Sequence, residues 1–148
     1  MNSDLIELLS SLVEEKVRFL IVGGYATSFH YEPRFTKDVD IWIDNSDKNA
    51  EKIYGILKEF GAPVSSINST FFTFEDHFLK MGKDPTRIDI ICGMKGLKFG
   101  DAWRAKVKGS LFGVKLHYIS IEHLILLKKK AGRPQDLVDI GNLKRIKK

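Results

Sequence analysis

A single cysteine, Cys92, stands among 148 residues, so the chain cannot close an internal disulfide. The four histidines do not fall at the spacing of a zinc site, and a reducing cytoplasm is the expected setting. Long apolar runs are also missing. Leu5 to Val13 is interrupted by Glu7, Ser10 and Ser11 and does not read as a secretory leader, and no other stretch approaches membrane-spanning length. Internal repeats, linkers and low-complexity segments are absent as well. What is left, with 43% hydrophobic residues, is expected to bury one core in one domain over residues 1–148.

The net charge of +5 hides an asymmetry. Residues 1–94 carry 10 Lys or Arg against 15 Asp or Glu, whereas residues 95–148 carry 14 against 4. A basic third of this kind can steer nucleotides or nucleic acid, although by itself it is equally well explained as a solvated face.

The apolar pattern predicts a helix from Ser3 to Glu15 and a short buried strand from Phe19 to Val22. A glycine turn then leads into a helical stretch over Tyr25 to Tyr31. Val39 to Ile43 reads as a second strand, and Ser46 or Asp47 caps a helix to about Phe60, ended by Gly61 and Pro63. Thr70 to Glu75 and His77 to Met81 are expected to pair as strands, with Thr86 to Cys92 as the next one. A weaker strand around Lys106 to Phe112 and another over Gly113 to Ile119 follow. Ser120 caps a helix to about Lys130, and Gly132 with Pro134 breaks it before a final helix to about Ile146. This order is an α/β or α+β pattern, helices against a mixed sheet.

Chemistry concentrates at two places. Gly23-Gly24 ends a buried strand and opens a helix, where free backbone N–H groups attract phosphate. Asp38 and Asp40 lie two residues apart on the next strand, so both point to one face. Like charges held that close favour a cation between them, and a hard divalent ion such as Mg2+ suits carboxylates plus phosphate oxygens. Asp89, the only acid in Thr86 to Cys92, completes three carboxylates if the two strands are neighbours. Its competing role is a pair with Arg87 on its own face.

On Gly23-Gly24, the run Arg34-Phe35-Thr36-Lys37-Asp38-Val39-Asp40 and Asp89, the chain resembles the nucleotidyltransferase superfamily that includes DNA polymerase β. It is similar to the minimal bacterial and archaeal branch containing AbiEii-type toxins and lincosamide nucleotidyltransferases. Leu124-Ile125, Lys128, Ala131-Gly132-Arg133-Pro134 and Asp136 fit the same branch, so the resemblance runs from about Phe19 to about Leu143. It implies a mixed β-sheet with flanking helices and C-terminal helices. It also implies transfer of a nucleoside monophosphate from an NTP to a hydroxyl acceptor with release of pyrophosphate. Asp38, Asp40 and Asp89 would hold two Mg2+ ions, with Mn2+ as the substitute, and Asp89 would help deprotonate the acceptor. Gly23 and Gly24 would cradle phosphates, with Gly24 standing where many relatives carry serine and Thr27 or Ser28 as substitutes for that hydroxyl.

The same resemblance suggests that Lys128 reaches the nucleotide phosphates; Arg34 and Lys37, which flank the acids, are read from that position as contacting phosphate or pairing with the acids. Asp136 is read instead as a partner of Arg133 or of the helix start. The histidines and Trp42, Trp103 are read as structural, with Phe71, Phe72 and Phe74 as core that partly lines a base pocket. RNA ends, protein side chains and small hydroxylated molecules are all open as acceptors, as are a homodimer, an antitoxin partner and a toxin–antitoxin role. Two other classes stand beside this reading: a non-catalytic, antitoxin-like nucleotide or partner binder, and a metal-dependent nuclease using the same acids.

Overall fold

The computed structural model describes residues 3–33, 38–83 and 86–147. Its first helix, α1 (Ser3–Glu14), buries Leu5, Leu8, Leu9 and Leu12, the spacing that keeps one helical stripe on the core. β1 (Phe19–Val22) is buried at all four positions, as a central strand must be. It runs straight into α2 (Gly23–His30), and β2 (Asp38–Ile43) follows. α3 (Asp47–Glu59) starts where the Ser46 hydroxyl accepts from the Asn49 N–H. The remaining elements are β3 (Phe78–Lys83), β4 (Thr86–Ile91), α4 (Phe99–Arg104), β5 (Val107–Leu111), β6 (Val114–Tyr118), α5 (Ile121–Ala131) and α6 (Pro134–Lys147).

The six strands form one mixed sheet in the order β3-β4-β2-β1-β6-β5. β1 is antiparallel to β2 and parallel to β6, while β2 is parallel to β4. Hairpins β3–β4 and β5–β6 close the two edges. The parallel neighbours are separated by helices in the chain, as crossovers require. α1 packs on α3 and β6, whereas α2 packs against β1, β2, α5 and α6. Trp42, Phe72, Leu20, Ile21 and Ile53 are among the fully buried side chains of one continuous core. Cys92 belongs to it as well, and burial pushes its thiol up to about 12, so it is an inert core residue. No helix among the described residues is long and apolar enough to cross a membrane.

Two expectations change. Thr70 to Glu75 is not a strand: Ser69–Thr73 forms a 3-10 turn opened by Asn68, whose side chain accepts from the Thr70 N–H, and its Phe72 is buried. The partner of β3 is therefore β4, not the phenylalanine-rich segment. The short helix α4 had no counterpart in the sequence reading, since one and a half turns are too few to show a helical period.

Candidate active site

The turn between β1 and α2 is built by Gly23, whose φ of +67° is a left-handed conformation open to glycine. Crowding adds a second reason, because a Cβ at Gly23 would overlap the carboxylate of Asp40. The backbone at the end of β1 thus lies against the acid in the middle of β2. Val22 occupies the cap position of α2 with no side-chain cap, so the helix start keeps its backbone donors unclaimed by a capping side chain. Gly24 is the second residue of that helix.

β2 and β4 run side by side in a register that pairs Asp40 with Asp89 and Asp38 with Arg87. Alternation then puts Asp38, Asp40 and Asp89 on one face of the sheet, as expected from the spacing. The crowding shows in the titration of Asp40, which is pushed up to about 7. Burial is the largest cause, followed by the charge of Asp89, a side-chain hydrogen bond with Asp89 and the charge of Asp38, while Lys80 pulls the other way. Asp40 therefore holds its proton to higher pH than an ordinary carboxyl, with Asp89 as the foremost charged neighbour among the causes.

Asp38 is turned differently. Its Oδ1 lies 3.3 Å from Nε of Arg87, so Arg87 serves Asp38 across the strands instead of Asp89 on its own strand. Asp89 Oδ2 faces Lys80 Nζ at 3.8 Å. Oδ1 of Asp89 is buried without a hydrogen-bond partner among the described residues, whereas Oδ1 of Asp38 has only its ion pair with Arg87. Buried carboxylate oxygens left this way fit an electropositive partner. No three His, Cys, Asp or Glu side chains among the described residues converge closely enough to hold an ion as they stand. Asp38, Asp40 and Asp89 are donors suited to a hard cation, and Asp38 is paired with Arg87 in this structure.

The other candidates divide. Thr27 is fully buried and donates its hydroxyl to the Gly23 carbonyl at 3.2 Å, which holds the turn and leaves no hydroxyl for a phosphate. Ser28 Oγ is buried and without a partner among the described residues. Lys128 does not extend into open space: it is 9% exposed, with Nζ at 3.0 Å from Asp139 and 3.8 Å from Asp136. In this structure its ammonium holds α5 to α6. Asp136 accepts from the backbone N–H and the guanidinium of Arg133, which hold its carboxyl below the usual range. Arg34 and Lys37 lie outside the described residues.

His30 donates to the Ile119 carbonyl and His77 bonds the Phe71 carbonyl, both structural uses. Phe72 is buried, Phe71 stacks on His77 and Phe74 is exposed, so the three do not form one pocket wall. Lys80 and Asp139 escaped the sequence reading. Lys80 lies opposite Asp89 only once the β3–β4 register is known, and Asp139 is one helical turn after Asp136, a spacing that carried the only available signal.

The fold has counterparts among solved structures. A Thermotoga maritima protein described as a nucleotidyltransferase superposes with a TM-score of 0.63 at 22% identity, over 90% of this chain and 85% of that one. The lincosamide antibiotic adenylyltransferase LnuA, solved with lincomycin bound, gives 0.64 at 18% identity, over 99% of this chain and 98% of that one. An antigenic nucleotidyltransferase-like protein from Paracoccidioides brasiliensis gives 0.54 at 15% identity, over 95% and 74%. At such identities the likeness is one of fold. Among curated proteins none matches the sequence significantly. A family model described as a nucleotidyl transferase of unknown function (DUF2204) matches residues 1–148, the full length given, so the chain belongs to that family of nucleotidyltransferases.

Proposed function

We propose that the protein transfers a nucleoside monophosphate from an NTP to a hydroxyl acceptor, with the acid face of β2 and β4 as the reaction centre. The observation that carries this reading is the apposition of Gly23 with Asp40: the uncapped start of α2 and the acid pair Asp40–Asp89 meet at one point. Backbone N–H groups of the α2 start bind the triphosphate, with Gly24 leaving the approach open. Asp40 and Asp89, joined by Asp38 when it leaves Arg87, hold Mg2+ or Mn2+. The bound ions supply charge neutralisation at phosphate oxygens. Asp89 accepts the acceptor's proton, a role that suits a carboxylate whose Oδ1 has no hydrogen-bond donor. Lys80 and Arg87 keep the acids oriented while the site is being loaded.

Transfer is measured with each α-labelled NTP, Mg2+, and three acceptor arms: total RNA, lysate protein and lincomycin, the last because the related LnuA structure carries it. Label is expected on an acceptor with the intact protein and at least about 1,000-fold less with Asp40→Asn. Equal transfer by Asp40→Asn sinks the assignment of the reaction centre. Tight Mg-NTP binding with no transfer to any arm supports a binding role of the antitoxin kind. A toxin role belongs to the same proposal, and growth arrest on expression of the intact chain but not of Asp40→Asn is its test.

A further inference from the structure

Away from the acids, at the opposite end of β1 and β2, lies a cleft of about 1320 Å³. Sites for small molecules commonly hold about 300–1,000 Å³, so this one suits a longer ligand. Its walls are the exit of α1, the entry to β1, the first turns of α3, Trp103 of α4 and the β5–β6 hairpin. Lys16, Arg18, Lys48, Lys52, Lys108 and Lys115 line it, against one acid, Asp44. None of these six cations is in an ion pair among the described residues. Unpaired charges of one sign in a concave surface raise the local potential and concentrate anions. The neighbouring His117 registers that field: its imidazole titrates below the usual value, first through burial and then through the charges of Lys106 and Lys108.

The wall is also built firmly. Asn49 accepts from the Arg18 N–H at 2.8 Å and donates to the carbonyls of Arg18 and Asp44 at 3.1 and 2.6 Å. One buried amide therefore ties α3 to the ends of β1 and β2. Lys16 has φ of +59°, in the position after α1 where glycine is the usual residue. A lysine kept there accepts backbone strain and places a cation on the cleft.

Strand alternation and register put Asp38, Asp40 and Trp42 on the same face of the sheet as Lys108, Ser110, Lys115 and His117, so the hairpin wall of the cleft shares the face of the acids. Four strand residues at about 3.3 Å each separate Asp40 from Asp44 by roughly 13 Å. α4 packs on the same face, with Phe99 against Trp42 at 5.2 Å between ring centroids and Trp103 against His117 at 5.6 Å. Trp103 is not open for a base, since Phe99 stacks on it and Lys106 Nζ lies 4.4 Å from its ring centroid. Recognition in the cleft therefore falls to phosphates, with the hydroxyl of Ser110 on the cleft wall available to sugar hydroxyls.

We propose that this cleft binds a segment of single-stranded RNA through its phosphodiester backbone. The binding is independent of the transfer chemistry; only the use of the bound strand as the acceptor, its end reaching the acids on the same face, rests on the function proposed above.

Fluorescence anisotropy of the full chain with a labelled 12-nucleotide RNA tests it. The expected affinity is independent of base sequence and falls steeply with salt, with a log–log slope of about −3 to −4 for four to six phosphates contacted. Lys108→Glu/Lys115→Glu weakens binding at least about 10-fold. Lys16→Gly weakens binding yet keeps or raises thermal stability, because it removes backbone strain; a purely structural lysine would not separate the two readouts. Binding that is salt-insensitive or indifferent to the charge reversals overturns the proposal. So does tighter binding of a duplex or of DNA of the same sequence, or full displacement by inorganic triphosphate at equal phosphate concentration. If NTP transfer proceeds while RNA binding is absent, the cleft proposal fails and the transferase stands; RNA binding without transfer gives the converse.

Discussion

Gly23 is required twice over, by its left-handed φ of +67° and by the Asp40 carboxylate that occupies the space of a side chain. A residue can be indispensable in this way without any functional group of its own. Gly23→Ala is expected to destabilise the fold by about 1–3 kcal/mol in urea unfolding. It is also expected to lower transfer by about 100-fold, because Asp40 must move to admit the methyl group. Unchanged stability and rate together would show that the turn relaxes freely. The glycine pair was legible as a turn from composition and neighbours. Its contact with Asp40 was not, because nothing local says which side chain will fill the space a glycine leaves.

Among the elements, the junction of α5 and α6 shows how a motif can be read correctly in position and differently in use. Ser120 caps α5 through the His123 N–H, Gly132 ends it at φ of +65°, and Pro134 opens α6, all as the sequence pattern predicts. Lys128 lies on the inner side of this corner, held by Asp139 and Asp136. Removing one partner of a buried pair leaves a stranded charge. Asp139→Ala should therefore cost about 3–5 kcal/mol in denaturant unfolding, whereas replacing both residues by apolar ones, Lys128→Met/Asp139→Leu, should cost much less. Equal losses for the two would place Lys128's role outside the pair. The 3-10 turn at Ser69–Thr73 illustrates the opposite difficulty: a run of threonine and phenylalanine has high strand propensity, yet the Asn68 cap and the burial of Phe72 against α3 override it.

Across the whole molecule the acid face leaves a signature in stability. With the Asp40 pKa raised from 3.8 to about 7, its protonation favours the folded state. That contribution is fully present below about pH 4 and is lost as pH rises through about 7. In metal-free buffer Asp40→Asn should therefore be the more stable protein at pH 8, by on the order of 1–3 kcal/mol, or several degrees in Tm, and the gap should close toward pH 4. Thermal melts in EDTA across that range check it; a constant difference would mean that Asp40 is not perturbed in the fold.

Period and punctuation in the sequence determined most elements, because helical and strand spacings, caps and glycine stops act within a few residues. Sequence also determined that Asp38 and Asp40 share a face, since alternation is a local property of a strand. Only the tertiary structure decided that β4 lies beside β2 in the register that sets Asp89 against Asp40 and Arg87 against Asp38. It likewise decided that the cations of α1, α3 and the β5–β6 hairpin, scattered from Lys16 to Lys115, line one cleft. These outcomes depend on which strands neighbour one another and which helices flank them. They follow from burying one core around a six-stranded sheet, and no stretch of chain short enough to show a pattern contains that information.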